Sequence, residues 1–185
     1  MASLPGIYDG IAYIRDYAAS VGKPCVINMS LGTHEGPHDG TSSLDRMMDG
    51  LHAQYPEGFL VVGSAGNEGS NKLHLYKSFT AEDTTACSFV NYNAGRVEAT
   101  IDLWSTVNSA FAVSVGVIDT ASGDTLGRTP WYNSSATGVY DDSIYLDKIY
   151  CEFACNGTNP FNTRQNITLT LTNRPIATDT YRVVL

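Results

Sequence analysis

Apolar residues recur at steps of four and three near the start of the chain: Ile7, Ile11, Ile14, Ala18 and Val21. That spacing puts them on one face of a helix. Pro5 and Gly6 precede the pattern. Gly22 and then Lys23-Pro24 end it, a glycine for the left-handed cap and a proline that cannot continue. Cys25–Met29 is a short apolar run and predicts a strand covered on both faces. A polar loop rich in Gly and His follows over residues 32–41. Ser42 is a helix N-cap candidate, with Asp45 three positions on as a capping-box partner. Leu44, Met47, Met48 and Leu51 predict the buried face of a second helix, stopped by Tyr55-Pro56-Glu57-Gly58. Residues 59–64 read as a second buried strand. Helix, strand, helix, strand is a βαβ unit with a leading helix, and such units sit in parallel sheets. A sheet of two strands leaves an edge unpaired. This portion is therefore expected to be a segment of something longer, or to be covered by another part or another copy.

Beyond about position 78 the period changes to two. Val97, Ala99, Ile101 and Leu103 alternate with Glu98, Thr100 and Asp102. Phe111, Val113, Val115 and Val117 alternate with small residues. A turn containing Ser122-Gly123 follows, and Asp141-Asp142 reads as another turn. Ile149, Cys151, Phe153 and Cys155 alternate again, as do Ile167, Leu169 and Leu171 against Thr168, Thr170 and Thr172. Tyr181, Val183 and Leu185 close the chain. Period two without helical stretches predicts an antiparallel β-sandwich or jelly roll. The expected fold class is α/β plus all-β: a partial parallel-sheet segment over residues 1–75 and a jelly-roll-like β-sandwich over residues 76–185.

Composition narrows the partners. Eleven basic against 19 acidic residues give a net charge of -8. No Lys/Arg cluster occurs, so nucleic acid and anionic membrane are poor partners. No apolar run approaches the roughly 18 residues that span a bilayer, so no transmembrane segment is expected. The N-terminus has neither the basic nor the apolar region of a signal peptide. Cys151 and Cys155 would lie about 13 Å apart on an extended strand, too far to bridge. They and Cys25 read as small core residues, and no metal site is predicted.

Two segments carry chemistry. Val26-Ile27-Asn28-Met29-Ser30-Leu31-Gly32 and Val61-Val62-Gly63-Ser64-Ala65-Gly66-Asn67-Glu68-Gly69, with a helix before each, resemble the middle of a subtilase, a subtilisin-like serine peptidase. The resemblance implies that Ser30, Leu31 and Gly32 wall the primary specificity pocket and pair with substrate backbone. Ala65 and Gly66 would form the facing wall, and Asn67 would complete the oxyanion hole. The residue types suit those roles. An exposed strand edge can accept an extended peptide. Glycines allow close backbone approach. A neutral amide stabilises a developing O⁻ without competing for protons.

The family's three catalytic motifs are absent from these 185 residues. The resemblance puts the aspartate and histidine motifs before the first helix and the serine motif, Gly-Thr-Ser-Met-Ala, further on. Gly40-Thr41-Ser42 spells the start of the serine motif, with His34, His38 and Asp39 nearby. It stands upstream of the asparagine segment, where a helix cap is expected, and one contiguous loop rarely assembles a triad. The expectation is a segment of a serine endopeptidase that acts on peptide or protein, is completed by the remainder of the subtilase domain, and is inactive alone.

Glu98-Ala99-Thr100-Ile101-Asp102-Leu103-Trp104, Ser122-Gly123-Asp124 and the ending Ala177-Thr178-Asp179-Thr180-Tyr181-Arg182-Val183 resemble a jelly-roll insertion found in some bacterial subtilases. There the insert packs on the catalytic domain. The resemblance also implies export from a bacterium. It implies no cofactor in this chain, with calcium left to the parent protein. The alternative is a β-sandwich binding or structural module on a degenerate, non-catalytic subtilase. Aromatics sharing an exposed face, among Trp104, Trp131, Tyr132, Tyr140 and Tyr145, would favour carbohydrate.

Overall fold

The computed structural model describes residues 4–55, 57–71, 73–80, 87–90, 98–173 and 181–185. They fall into two compact units, Met1–Leu75 and Tyr76–Leu185. Of the positions discussed above, Pro56, Val97 and residues 177–180 lie outside the described residues.

In the first unit, helix α1 (Leu4–Ser20) leads into strand β1 (Cys25–Met29), helix α2 (Ser43–Gln54) and strand β2 (Phe59–Gly63). Pro5 and Gly6 stand inside α1 rather than before it. A first-turn proline costs little, because its missing N–H would have no helical partner anyway. Gly22 takes φ +63°. Its N–H bonds Ala19 and that of Lys23 bonds Ala18, the paired bonds of a left-handed C-cap. Ser42 and Asp45 form a reciprocal capping box, the Asp45 N–H donating to the Ser42 hydroxyl. Strands β1 and β2 pair in parallel, from Cys25 opposite Phe59 to Met29 opposite Gly63.

Both helices lie on one face of that pair. Ile11, Ile27, Leu51 and Phe59 form a small core, with Ile7, Tyr8, Met48 and Val61 against it. Ile14 and Val21 point to solvent, so the helix stripe is narrower than its spacing suggests. The expectation of strands covered on both faces is also corrected. Val26, Leu60 and Val62 are 67%, 51% and 43% exposed. An apolar run marks a strand for two-sided cover, and here only one side has it.

The second unit comprises β3 (Phe89–Val90), β4 (Glu98–Trp104), β5 (Ala112–Val113), β6 (Gly116–Asp119), β7 (Thr125–Arg128), β8 (Tyr132–Asn133), β9 (Thr137–Ile144), β10 (Ile149–Thr158), β11 (Gln165–Asn173) and β12 (Tyr181–Val184). One four-stranded sheet runs β4-β11-β10-β9, a second runs β3-β12-β6-β7, and β5 pairs with β8. The paired strands are antiparallel throughout. Val117 and Val183 from the second sheet share one buried cluster with Ile149, Cys151, Phe153, Cys155, Ile167, Leu169 and Leu171 from the first.

Two expectations change. The alternating run from Phe111 to Val117 is two strands, β5 and β6, in different sheets. The break is sealed by side chains: the Val115 N–H donates to the Thr129 hydroxyl at 3.0 Å, and the Ser114 hydroxyl donates to the Thr129 carbonyl at 3.0 Å. Asp141-Asp142 lies within strand β9, not in a turn. Successive strand residues face opposite sides. The Tyr150 hydroxyl accordingly donates to Asp141 at 2.7 Å, and the Tyr132 hydroxyl donates to Asp142. The Ser122-Gly123 turn does stand between β6 and β7. There the Ser122 and Ala121 N–H groups hold the Asp119 carboxyl below its ordinary range.

Candidate functional site

Parallel neighbours finish at the same end of a sheet, so β1 and β2 release their following residues side by side. Ser30, Leu31 and Gly32 leave β1 there; Ser64, Ala65, Gly66 and Asn67 leave β2. The two segments are tied together. The Ser64 N–H donates to the Met29 carbonyl at 3.1 Å, one residue past the end of β2. The Ser64 hydroxyl then donates to the Leu31 carbonyl at 2.8 Å. Every residue from Ser30 to Gly32 and from Ser64 to Asn67 is exposed.

The turn after β2 depends on Gly66, whose φ is +81°. Side-chain-bearing residues rarely take that conformation. The Glu68 carboxylate folds back and accepts the Asn67 N–H at 3.0 Å. That contact uses Asn67's backbone. Among the described residues, its side-chain amide makes no hydrogen bond. The six residues picked out by sequence are thus brought to one end of one strand pair. The Ser64 hydroxyl and the Glu68 carboxylate were missed. A hydroxyl just past the end of an apolar strand, where backbone pairing runs out, is the signal for the first.

The His-rich loop holds no triad. Ser42 gives its hydroxyl proton to Asp45 at 2.6 Å, within the helix cap. Asp39 accepts from the Thr41 N–H and hydroxyl. His38 Nε2 lies 3.0 Å from the His34 carbonyl oxygen, and the His38 ring meets His74 edge-on. Among the described residues, no three His, Cys, Asp or Glu side chains are grouped to hold a metal. Asp141 and Asp142 do not suit calcium, since they face opposite sides and each accepts a tyrosine hydroxyl. No described helix is long and apolar enough to cross a membrane.

The cysteines are free thiols. Burial pushes Cys151 up to about 12 from its ordinary 9.0, with the Asp142 charge adding to it, and burial raises Cys155 too. Burial and the hydrogen bond to Asp142 push the Tyr132 phenol up to about 12. Groups that bind their protons more tightly when folded stabilise the fold at pH values where the unfolded groups are still protonated. For Cys151 that contribution is complete below about 9 and is lost as the pH rises towards 12. Thiolate is the reactive form. A thiol reagent at neutral pH is therefore expected to modify exposed Cys87 quickly and half-buried Cys25 more slowly. Cys151 and Cys155 should react only after denaturation, which peptide mapping by mass spectrometry would reveal.

The architecture is an α/β segment followed in the chain by a β-rich unit, and comparison with known proteins assigns it to a family. The model of the Subtilase family matches residues 8–181. The chain belongs to the subtilase family. No curated protein matches it. Among solved structures, the CspB protease of Clostridium perfringens is similar, with a TM-score of 0.71 and 22% identity. The match covers 100% of this chain and 37% of that one. At that identity the likeness speaks for the fold, and the chain spans little more than a third of that protease's length.

Proposed function

We propose that the chain is part of a subtilisin-like serine endopeptidase and carries the wall and oxyanion side of its active site. In this reading Asn67 donates its side-chain amide to the oxyanion of the tetrahedral intermediate. Ser30, Leu31 and Gly32 pair with the substrate backbone and wall one side of the specificity pocket; Ala65 and Gly66 wall the other. The observation that carries the proposal is the pair of Ser64 hydrogen bonds, which hold both segments together at the exposed end of the strands.

The nucleophile, general base and orienting acid come from elsewhere in the polypeptide. The bare face at Val26, Leu60 and Val62 is suited to apolar cover from the remainder of the domain. The β-rich unit serves as a jelly-roll-like sandwich insert, a role supported by two sheets sharing one core. The aromatics favour this over a carbohydrate-binding module, because Trp104, Tyr132 and Tyr145 are half-buried in contacts of their own, Tyr132 lying against Tyr140 as well. Trp104 donates to Asp102 at 2.8 Å, Tyr132 stacks on Phe153, and Tyr145 packs against Tyr181. Export from a bacterium follows the habit of the family.

The test compares two proteins on one fluorogenic peptide. The purified 185-residue chain should give no turnover, and the full-length polypeptide should cleave it in a reaction blocked by a serine-directed inhibitor. Turnover by the short chain, or none by the long one, overturns the proposal.

A further inference from the structure

We infer that Ser64 is a positioning residue: its hydroxyl replaces a missing backbone donor and so fixes the strand edge to which a peptide substrate pairs. The inference rests on the proposed endopeptidase reading. In a parallel ladder the residues of one strand that bond the neighbour alternate with residues that face away. The Cys25 N–H bonds the Gly58 carbonyl, and the Met29 carbonyl accepts from Ser64. Leu31 is next in that series, so its carbonyl also faces the β2 side. Its regular donor would be the Gly66 N–H. Gly66 is instead in the left-handed turn that starts the asparagine segment, and among the described residues it makes no such bond. The Ser64 hydroxyl fills the place at 2.8 Å.

Two consequences follow from this substitution. The Leu31 carbonyl is held on the β2 side one residue pair beyond the end of the backbone ladder. Ser30 and Gly32, on either side of it, then present their N–H and C=O groups to the opposite edge, where an extended peptide can add as a strand. The turn that places Asn67 is set separately, by Gly66 at φ +81° and by the Glu68 carboxylate accepting the Asn67 N–H, so the hydroxyl acts on the wall and not on the oxyanion side. Both groups are exposed, so the bond controls local order rather than folding.

The experiment uses the full-length polypeptide with Ser64→Ala and Ser64→Thr, and two substrates. One is a hexapeptide anilide long enough to pair with the edge; the other is a minimal acyl ester that cannot reach it. Ser64→Ala is expected to lower kcat/KM on the hexapeptide about three- to tenfold, the worth of one net hydrogen bond, mainly through KM. The ester should be unaffected, and Ser64→Thr, which keeps the hydroxyl, should restore the peptide rate. Unchanged peptide kinetics, or equal losses on both substrates, overturn the inference while leaving the endopeptidase reading intact. An unmutated polypeptide that cleaves neither substrate overturns both.

Discussion

Replacing Asn67 with alanine is expected to lower kcat of the full-length polypeptide by about 10²–10³, with KM nearly unchanged. The magnitude is that of losing the oxyanion-hole amide of a subtilisin, carried over to Asn67 on the role proposed for it above. The direction follows from the chemistry. A carbonyl oxygen in the ground state carries little charge, whereas the tetrahedral intermediate carries a full O⁻. A fixed amide therefore stabilises the transition state more than the bound substrate, and its loss falls on kcat. The local structure makes the variant clean. The turn is set by Gly66 at φ +81° and by the Glu68 carboxylate accepting the Asn67 backbone N–H. Neither needs the Asn67 side chain, so alanine should keep the turn and the melting temperature. Asn67→Asp makes a second check. It keeps the size but replaces a donor with a negative charge facing a negative charge, and should be at least as damaging. Steady-state kinetics of the three proteins decide the matter. A large rise in KM with kcat intact would mean that Asn67 shapes the turn and does not touch the oxyanion.

How much of this was legible in the sequence depended on whether the signal was local. Strand β1 ran over Cys25–Met29 as its apolar run indicated. The caps at Gly22 and Ser42 took the geometry that their residue types imply, because a cap is set by a few neighbouring atoms. The meeting of Ser30, Leu31 and Gly32 with Ala65, Gly66 and Asn67 was readable because parallel strands necessarily end together. What failed was non-local. Nothing in Ile14 or Val26 tells which side of the sheet a helix will choose, and both helices chose one. Strand β9 was hidden because Asp141-Asp142 imitates a turn, and the tyrosines that accommodate the two acids are Tyr132 and Tyr150, ten and nine positions away from the acid that each binds. The split of β5 from β6 was hidden because inward residues continue in phase across it. Only the Ser114, Val115 and Thr129 hydrogen bonds reveal that the backbone changes sheets. The Ser64 hydroxyl belongs with these cases, since its partner lies 33 residues upstream.

The largest loss of stability is expected at Phe153, where alanine should cost about 3–5 kcal/mol. Phe153 is fully buried at the middle of β10, opposite Leu169 of β11 on one side and Tyr140 of β9 on the other. The Tyr132 ring stacks on it with centroids 4.1 Å apart. Truncation removes the transfer energy of the ring and leaves a cavity between strands that are paired on both sides, so collapse can fill little of it. It also takes away the surface on which Tyr132 rests, and with it the geometry of the Tyr132 bond to Asp142. The outer face of the same sheet provides the control. Thr170 sits one pair along β11 from Leu169 with its side chain turned outward. Thr170→Ala should stay within about 0.5 kcal/mol. Urea unfolding of both variants, followed by far-ultraviolet circular dichroism, measures the difference. The midpoint should fall sharply for Phe153→Ala and hardly move for Thr170→Ala, with the slope unchanged in each, since slope reports the surface exposed on unfolding. Equal, small shifts would show that the two sheets do not share a close-packed core at Phe153.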